Sequence, residues 1–169
     1  VCFCYNKMRV TIKNYEKSNT IKTREGKIME TMQGKKNIVL IGMPGAGKST
    51  VGVVLAKRLG YRFLDSDLVI QEQTKKLLHE LITEHGVDGF LKIEEDINAG
   101  LDCEQAVIAT GGSVIYGEKA MEHLREIGCV VYLKLSYKEI EDRLGDLTAR
   151  GVALKNGQTL KDLYNERCP

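Results

Sequence analysis

One glycine-rich segment, placed between an apolar run and a helical pattern, constrains the fold of this chain most. Residues Gly42–Thr50 fit the pattern G-x-x-x-x-G-K-[ST], and the apolar run Asn37–Ile41 before it predicts a buried strand. Apolar residues then recur at helical spacing as far as Gly60, a residue type that often ends helices. Strand, glycine-rich turn and helix in this order are the context in which the pattern indicates a phosphate-binding loop.

The residue types of this loop suit a nucleotide's phosphate groups. Glycines let the backbone bend so that successive N–H groups point at one anion, and the helix N-terminus adds its dipole. Lys48 is expected to reach the β- and γ-phosphates, and the Ser49 hydroxyl is expected to ligate Mg²⁺. The residues expected to bind the nucleotide here are Gly45, Ala46, Gly47, Lys48, Ser49 and Thr50.

Short apolar strands alternate with helical patterns along the rest of the chain. We predict further strands at 61–65, 106–109 and 129–133, helices at 68–85, 89–101 and 117–127, and helix starts at the capping patterns of Ser136 and Thr159. Strands that are apolar on both faces and separated by helices indicate a parallel sheet covered on both sides. Ligands bind such sheets at the carboxyl ends of the strands.

Two carboxylates follow the second predicted strand of this sheet. Asp65 and Asp67 are two residues apart, so in extended backbone both side chains project to the same side. Phosphoryl transfer needs one acid near Mg²⁺ and one near the acceptor hydroxyl. We expect Asp65 to orient water on the metal and Asp67 to bind or deprotonate the acceptor hydroxyl.

Charge and cysteine content argue against several other classes of protein. Residues 1–36 carry nine Lys and Arg against three acidic residues, whereas 37–169 carry sixteen against twenty. The second part is therefore mildly acidic, which argues against a nucleic-acid partner. No stretch approaches the roughly 18 apolar residues of a membrane span. The five cysteines lack disulfide or zinc spacing, which predicts reduced thiols in a cytoplasmic protein. We also expect the protein to be a monomer.

Both ends of the chain depart from the alternating pattern. Residues 1–36 are polar and lysine-rich without sustained periodicity, so we expect a leader that is disordered or artefactual, with translation starting at Met29 or Met32. A flexible basic tail is the alternative. At the other end, the chain stops at Pro169 after four predicted strands, which leads us to expect a fragment.

Over roughly residues 37–169 the chain resembles the shikimate kinase family of small P-loop kinases. The resemblance is carried by Gly42–Thr50, Leu64–Asp67, Phe90 with Glu94 and Glu95, Ala109–Val114, Arg143, Arg150 and Arg167–Pro169. It implies a three-layer α/β P-loop fold of the nucleoside-monophosphate-kinase type, with parallel strand order 2-3-1-4-5 and the fifth strand missing from this chain. It also implies one kinase domain over 37–169, with a lid over about 145–158.

The resemblance implies a reaction and an acceptor site. The reaction is ATP-dependent phosphorylation of a hydroxyl on a small polyhydroxylated carboxylic acid, with shikimate as acceptor and shikimate 3-phosphate as product, in aromatic amino-acid biosynthesis. Asp67 is implied to hold the hydroxyls, and Gly111 or its neighbour Gly112 to offer an amide. Arg167 is implied to bind the carboxylate of the acceptor.

The ATP site of the family implies two further arginines. Arg143 matches the position that packs against adenine, and Arg150 matches a lid arginine that reaches the transferring phosphate. The catalytic residues implied in this way are Lys48, Asp67 and Arg150, and the residues on the metal are Ser49 and Asp65.

The chain also departs from the family's pattern. Leu91 stands where the family has an arginine that clamps the substrate carboxylate, and the adjacent Lys92 is about 100° away around a helix. The turn at 110–113 has two glycines where three are common, and Gly151 replaces a proline after the lid arginine. A related sugar-acid kinase, such as a gluconate kinase, and a non-catalytic ATP-binding module therefore stay open as alternatives. A regulatory GTPase is disfavoured because the guanine-reading N-K-x-D is missing.

Overall fold

A computed structural model describes the backbone of residues 2–5 and 8–11 and, with side chains, residues 36–144 and 157–168. In chain order its elements are β1 (Cys2–Tyr5), β2 (Met8–Thr11), β3 (Asn37–Ile41), α1 (Lys48–Leu59), β4 (Arg62–Asp65), α2 (Ser66–Thr74), α3 (Leu78–Ala99), β5 (Ala106–Ala109), a 3₁₀ turn (Val114–Tyr116), α4 (Glu118–Ile127), β6 (Gly128–Tyr132), α5 (Tyr137–Leu144) and α6 (Leu160–Arg167). From β3 onward, strands and helices alternate as the sequence predicts.

Strands β3 to β6 form one parallel sheet in the order β4-β5-β3-β6. The central strand β3 pairs Ile38 with Val107 of β5 on one side and with Cys129 of β6 on the other. This is the predicted order 2-3-1-4, so the α/β fold class is confirmed. The sheet of the described residues has these four strands. The parallel arrangement brings the segments that follow β3, β4 and β5 to the same edge of the sheet.

The sheet is held by burial on both of its faces. In β3, Ile38 and Leu40 point to one face while Val39 and Ile41 point to the other, and all four side chains are buried. Helices α1, α5 and α6 cover the first face, and α4 covers the second. Because a buried aliphatic side chain of this size contributes roughly 1.5–3 kcal/mol, the two-sided apolar strands account for the stability of the sheet.

Two helix boundaries differ from the sequence prediction. The predicted helix at 68–85 is interrupted, because Lys75 adopts a left-handed φ of 57°, where α2 ends. The predicted break between 86 and 89 is instead a kink within α3, where Gly86 has φ 67° and ψ 178°. Glycine reaches this region without steric cost, so the chain bends there and helical structure resumes.

Two other predictions concern segments that the structure describes in part. The backbone of β1 and β2 forms an antiparallel hairpin that pairs Cys2 with Thr11, where the sequence predicts no regular structure. The rest of the predicted leader lies outside the described residues. So does the predicted lid, apart from Gly157 and Gln158. Within the described parts of the chain, no helix is long and apolar enough to cross a bilayer.

Candidate active site

A cleft of about 560 Å³ lies at the carboxyl edge of the sheet. Its volume is within the range of small-molecule sites, which is roughly 300–1,000 Å³. The glycine-rich loop, α1 to α3, the turn after β5, α5 and α6 all contribute to it. The lining residues are Pro44, Gly45, Gly47, Lys48, Ser49, Thr50, Asp67, Leu78, Phe90, Glu94, Thr110, Gly111, Gly112, Ser113, Arg143 and Arg167.

The loop after β3 has the backbone of an anion site. Gly45 and Gly47 adopt φ values of 75° and 86°, in the left-handed region that favours glycine. No side chain caps the start of α1, so the first N–H groups of this helix remain available to an anion. The methyl group of Ala46, in the same loop, is fully buried, and the Ala46 N–H donates to the Met43 carbonyl at 3.1 Å.

Lys48 is buried and folded back over this loop. Its Nζ donates to the carbonyl oxygens of Gly42 at 2.9 Å and Met43 at 3.0 Å. Burial lowers the pKa of Lys48 to about 8, the nearby Asp67 carboxylate opposes the change, and the positive charge of Arg167 adds to it. The ammonium group is therefore still charged at neutral pH, and it loses its proton far more readily than an exposed lysine does.

Ser49 and Asp65 form a pair of oxygen groups beside the loop. Ser49 Oγ donates to Asp65 Oδ2 at 2.7 Å, and Asp65 Oδ1 accepts the Asp67 N–H at 3.1 Å, so Asp65 also caps α2. Hydroxyl and carboxylate oxygens suit Mg²⁺, which proteins usually bind through one or two carboxylates together with substrate phosphates. No cluster of three or more His, Cys, Asp and Glu side chains able to hold a metal occurs among the described residues. The pair therefore fits Mg²⁺ held in part by phosphate oxygens.

Two carboxyl groups face the turn after β5. A Cβ atom on Gly111 would lie 2.2 Å from Glu94 Oε1 and 2.9 Å from Asp67 Oδ1, so the two oxygens are no farther apart than the sum of these distances. Glu94 is only 2% exposed, whereas Asp67 is half-buried. A side chain at Gly111 would therefore push the two carboxyl groups aside, and glycine leaves them in place.

The surroundings of these carboxyl groups favour their protonated forms. Burial raises the pKa of Asp67 to about 6; the charge of Asp65 adds to the rise, and Lys48 opposes it. Burial also raises the pKa of Glu94 to about 7, against a hydrogen bond from Ser113. Two neighbouring acids with raised pKa values exchange protons near neutral pH, where ordinary carboxyl groups are already ionised.

Hydrogen bonds to neighbouring strands hold the turn after β5 in place. Thr110 Oγ1 donates to the Leu40 carbonyl at 3.0 Å, and the Gly111 N–H donates to Ser66 Oγ at 3.2 Å. A Cβ atom on Gly112 would lie 2.7 Å from the Pro44 ring, so the turn packs directly against the phosphate loop. Both predicted glycines therefore line the cleft, but the N–H of Gly111 is already engaged.

The three predicted arginines are placed differently. Arg167, at the end of α6, lines the cleft, and its charge influences the pKa values of both Lys48 and Glu94. Arg143, in the last turn of α5, is exposed and lines the cleft next to the phosphate loop. Arg150 lies outside the described residues.

Glu94 belongs to the cleft, although no role for it was predicted from the sequence. Phe90 and Glu94 are four residues apart on α3 and both line the cleft, as expected for side chains on one face of a helix. Their spacing is the signal that could have identified Glu94 as a site residue. Leu91, where the family's arginine would stand, is half-buried and is not among the lining residues.

Comparison with known proteins places the chain among shikimate kinases by sequence. A family model described as shikimate kinase matches residues 44–169. The shikimate kinase of Rippkaea orientalis is 36% identical over 136 residues, which cover 80% of this chain and 72% of that protein. The shikimate kinase of Clostridium botulinum (strain Eklund 17B / Type B) is 40% identical over 136 residues, covering 79% of this chain and 80% of that protein.

Solved structures agree with the sequence relatives. Shikimate kinase from Acinetobacter baumannii in complex with shikimate superposes with a TM-score of 0.71 at 34% identity, covering 82% of this chain and 79% of that one. Shikimate kinase from Aquifex aeolicus superposes with a TM-score of 0.61 at 26% identity, covering 78% and 79%. Similarity to shikimate kinases thus extends over most of the chain in both sequence and fold.

Proposed function

The chain belongs to the shikimate kinase family, and on that premise we propose that it transfers the γ-phosphoryl group of ATP to a hydroxyl of shikimate. The product is shikimate 3-phosphate, and the reaction belongs to aromatic amino-acid biosynthesis. The observation that carries the proposal is the composition of the cleft. One side is a phosphate loop with a buried Lys48, and the facing side presents Asp67, Glu94 and Arg167.

On the donor side, Lys48 and the N–H groups at the start of α1 bind the β- and γ-phosphates. The two carbonyl oxygens that accept from Lys48 Nζ belong to the loop itself, so the ammonium group lies over the loop that is proposed to hold the phosphates. A guanidinium stacks well on an aromatic face, and the exposed Arg143 beside the loop is suited to contact adenine in this way. The role of Arg150 at the transferring phosphate rests on the family resemblance.

Ser49 and Asp65 are the residues that would hold Mg²⁺. Their oxygen atoms are 2.7 Å apart and lie beside the first turn of α1. When bound there, Mg²⁺ would supply positive charge that stabilises the phosphate oxygens during transfer. Asp65 also orients Asp67 through the Asp67 N–H, which links the metal side of the site to the acceptor side.

On the acceptor side, Asp67 is the group that accepts the proton of the reacting hydroxyl. A general base works best when its pKa is close to the working pH, and the pKa of Asp67 is raised to about 6. Gly112 is the better of the two predicted amide donors, because the Gly111 N–H already donates to Ser66. The guanidinium of Arg167 matches a carboxylate in shape and charge, which makes it the residue for the acid group of shikimate.

The test is acceptor-dependent release of ADP by the purified chain with ATP and Mg²⁺. We expect release to depend on shikimate and to be weaker with gluconate and other hydroxylated acids in the same panel. Turnover with gluconate in place of shikimate would move the assignment to a sugar-acid kinase. ATP binding without turnover of any acceptor would identify a non-catalytic ATP-binding module.

A monomeric state, a cytoplasmic location and the lack of nucleic-acid and membrane partners stay predictions. The acidic balance of residues 37–169 supports a small-molecule substrate over a nucleic acid. Cys103, Cys129 and Cys168 are not in disulfides in the described part of the chain, which is consistent with a reducing compartment. Light scattering on the purified chain measures its mass and so tests the monomer.

A further inference from the structure

Tyr116 contacts the cleft arginine Arg167 in two ways at once. Arg167 Nε donates to Tyr116 Oη at 3.2 Å, and Arg167 Cζ lies 5.0 Å from the centroid of the tyrosine ring. Tyr116 Oη in turn donates to Glu166 Oε1 at 2.7 Å. The hydroxyl therefore bridges a cation and an anion that are adjacent in the sequence.

The two elements that carry this contact are held in place independently of it. Tyr116 ends the 3₁₀ turn that follows β5, whereas the arginine ends α6. Helix α6 is tied to the β6 side of the sheet by two other tyrosines. Tyr132 Oη donates to Cys168 Sγ at 3.0 Å, and Tyr164 Oη donates to the Leu135 carbonyl at 2.8 Å. These two contacts hold α6 without Tyr116, so the bond from Arg167 Nε to Tyr116 bears mainly on the orientation of the arginine side chain.

The contact determines which donors Arg167 presents to the cleft. A guanidinium has five N–H donors, and the one on Nε is used by Tyr116, which leaves those on the two terminal nitrogens. Glu166 accepts hydrogen bonds from Tyr116 Oη and from Gln158 Nε2, the latter at 2.7 Å. Arg167 itself forms no ion pair with a carboxylate among the described residues. Arginine loses much rotamer freedom when it binds a ligand, and a side chain that is already ordered avoids most of that cost.

We propose that Tyr116 is a positioning residue for the acceptor: it orients Arg167 so that the terminal guanidinium nitrogens meet the acceptor's carboxylate in the cleft. The inference rests on the proposed function and deepens it. It adds a residue that does not itself line the cleft and that belongs to none of the motifs in the sequence.

The variant Tyr116→Phe keeps the ring and removes only the hydroxyl. Loss of one such hydrogen bond predicts a rise in KM for shikimate of about threefold to tenfold. The values of kcat and of KM for ATP are expected to stay unchanged, because the phosphate loop and Asp67 are untouched. Tyr116→Ala, which also removes the ring from the guanidinium, is expected to raise KM for shikimate further. The matched control is Tyr137→Phe, which removes a hydroxyl that donates to Glu141 on α5 and is expected to change none of the three constants.

Two comparisons separate orientation of Arg167 from a general structural role. The effect of Tyr116→Phe on KM is expected to disappear when the acceptor is the methyl ester of shikimate, and also in an Arg167→Ala background. An active wild type with an unchanged KM in Tyr116→Phe would overturn the inference alone, as would an equal effect on the ester. A wild type that releases no ADP with shikimate would overturn the proposed function, and this inference with it.

Discussion

Replacing the buried carboxyl group of Glu94 by an amide is expected to stabilise the protein without ligand at pH 8. Glu94 is 2% exposed, and burial raises its pKa from the ordinary 4.5 to about 7. Below pH 4.5 the group is protonated in both the folded and the unfolded chain. Between 4.5 and 7 the unfolded chain releases the proton while the folded chain retains it, so the free energy of unfolding falls as pH rises.

The size of the effect follows from the two pKa values. A difference of one pH unit between the folded and unfolded pKa is worth ~1.4 kcal/mol, so above pH 7 the ionised Glu94 costs the folded state about 3 kcal/mol. Glu94→Gln removes this cost. The amide oxygen can still accept from Ser113, and the amide nitrogen can donate to the nearby Asp67 carboxylate. We therefore expect equal stability at pH 4.5 and a gain of up to about 3 kcal/mol at pH 8.

The assay is urea unfolding of wild type and variant at both pH values, without ATP or shikimate. Glu122→Gln, which changes an exposed carboxylate on α4, is the matched control and is expected to alter stability by less than about 0.5 kcal/mol at either pH. A variant that is as stable as wild type at pH 8, or less stable, would refute the reasoning. It would mean that Lys48 and Arg167 fully compensate the charge of Glu94 in the folded protein.

Three further predictions concern activity. Asp67→Asn is expected to lower kcat by about 10²- to 10⁴-fold in the ADP-release assay, because the general base is lost. Asp102→Asn, at an exposed site, is its control, and an unchanged kcat in Asp67→Asn would argue against a general base at this position. The pH profile of kcat/KM is expected to fall below about pH 6, where Asp67 gains a proton, and above about pH 8, where Lys48 loses one. A profile that is flat between pH 5 and 9 would contradict both assignments. Leu91→Arg is expected to lower KM for shikimate by about tenfold or more, because it adds a charge-assisted hydrogen bond to the carboxylate of shikimate. An unchanged KM would show that the new side chain does not reach the acceptor.

The order of the sheet could be predicted from the sequence because each strand is a short apolar run between turn signals. The parallel pairing of β3 with β5 and β6 follows once such strands alternate with helices. The break at Lys75 could not be predicted in this way. A left-handed lysine is disfavoured locally, and here it lets α2 turn so that Ile70 packs against Leu81 and Phe90 of α3. The left-handed conformation of Lys75 is thus associated with an apolar cluster that forms only when the chain folds.

The residues of the site likewise fall into those that the sequence could predict and those that it could not. Lys48 and Ser49 could be predicted because their geometry arises within one loop. Asp65 could be predicted because it ends the next strand along the chain, and the carboxyl ends of parallel strands meet at one edge of the sheet. The spacing of Phe90 and Glu94 marks Glu94 as a site residue, but nothing in the local sequence shows what Glu94 or Tyr116 contacts. Glu94 approaches Gly111, and Tyr116 approaches Arg167, only when α3, the turn after β5 and α6 meet at one edge of the sheet.

The sequence by itself thus determined the phosphate loop of the cleft, and the tertiary structure decided how Asp67, Glu94 and Arg167 are arranged around it. The physical reason is the range of the interactions. Nine consecutive residues from Gly42 to Thr50 carry the dihedral angles and N–H groups of the phosphate loop, so a linear pattern describes them. The acceptor half depends on burial, on charges brought together from separate elements and on the orientation of Arg167, and none of these exists before the elements pack.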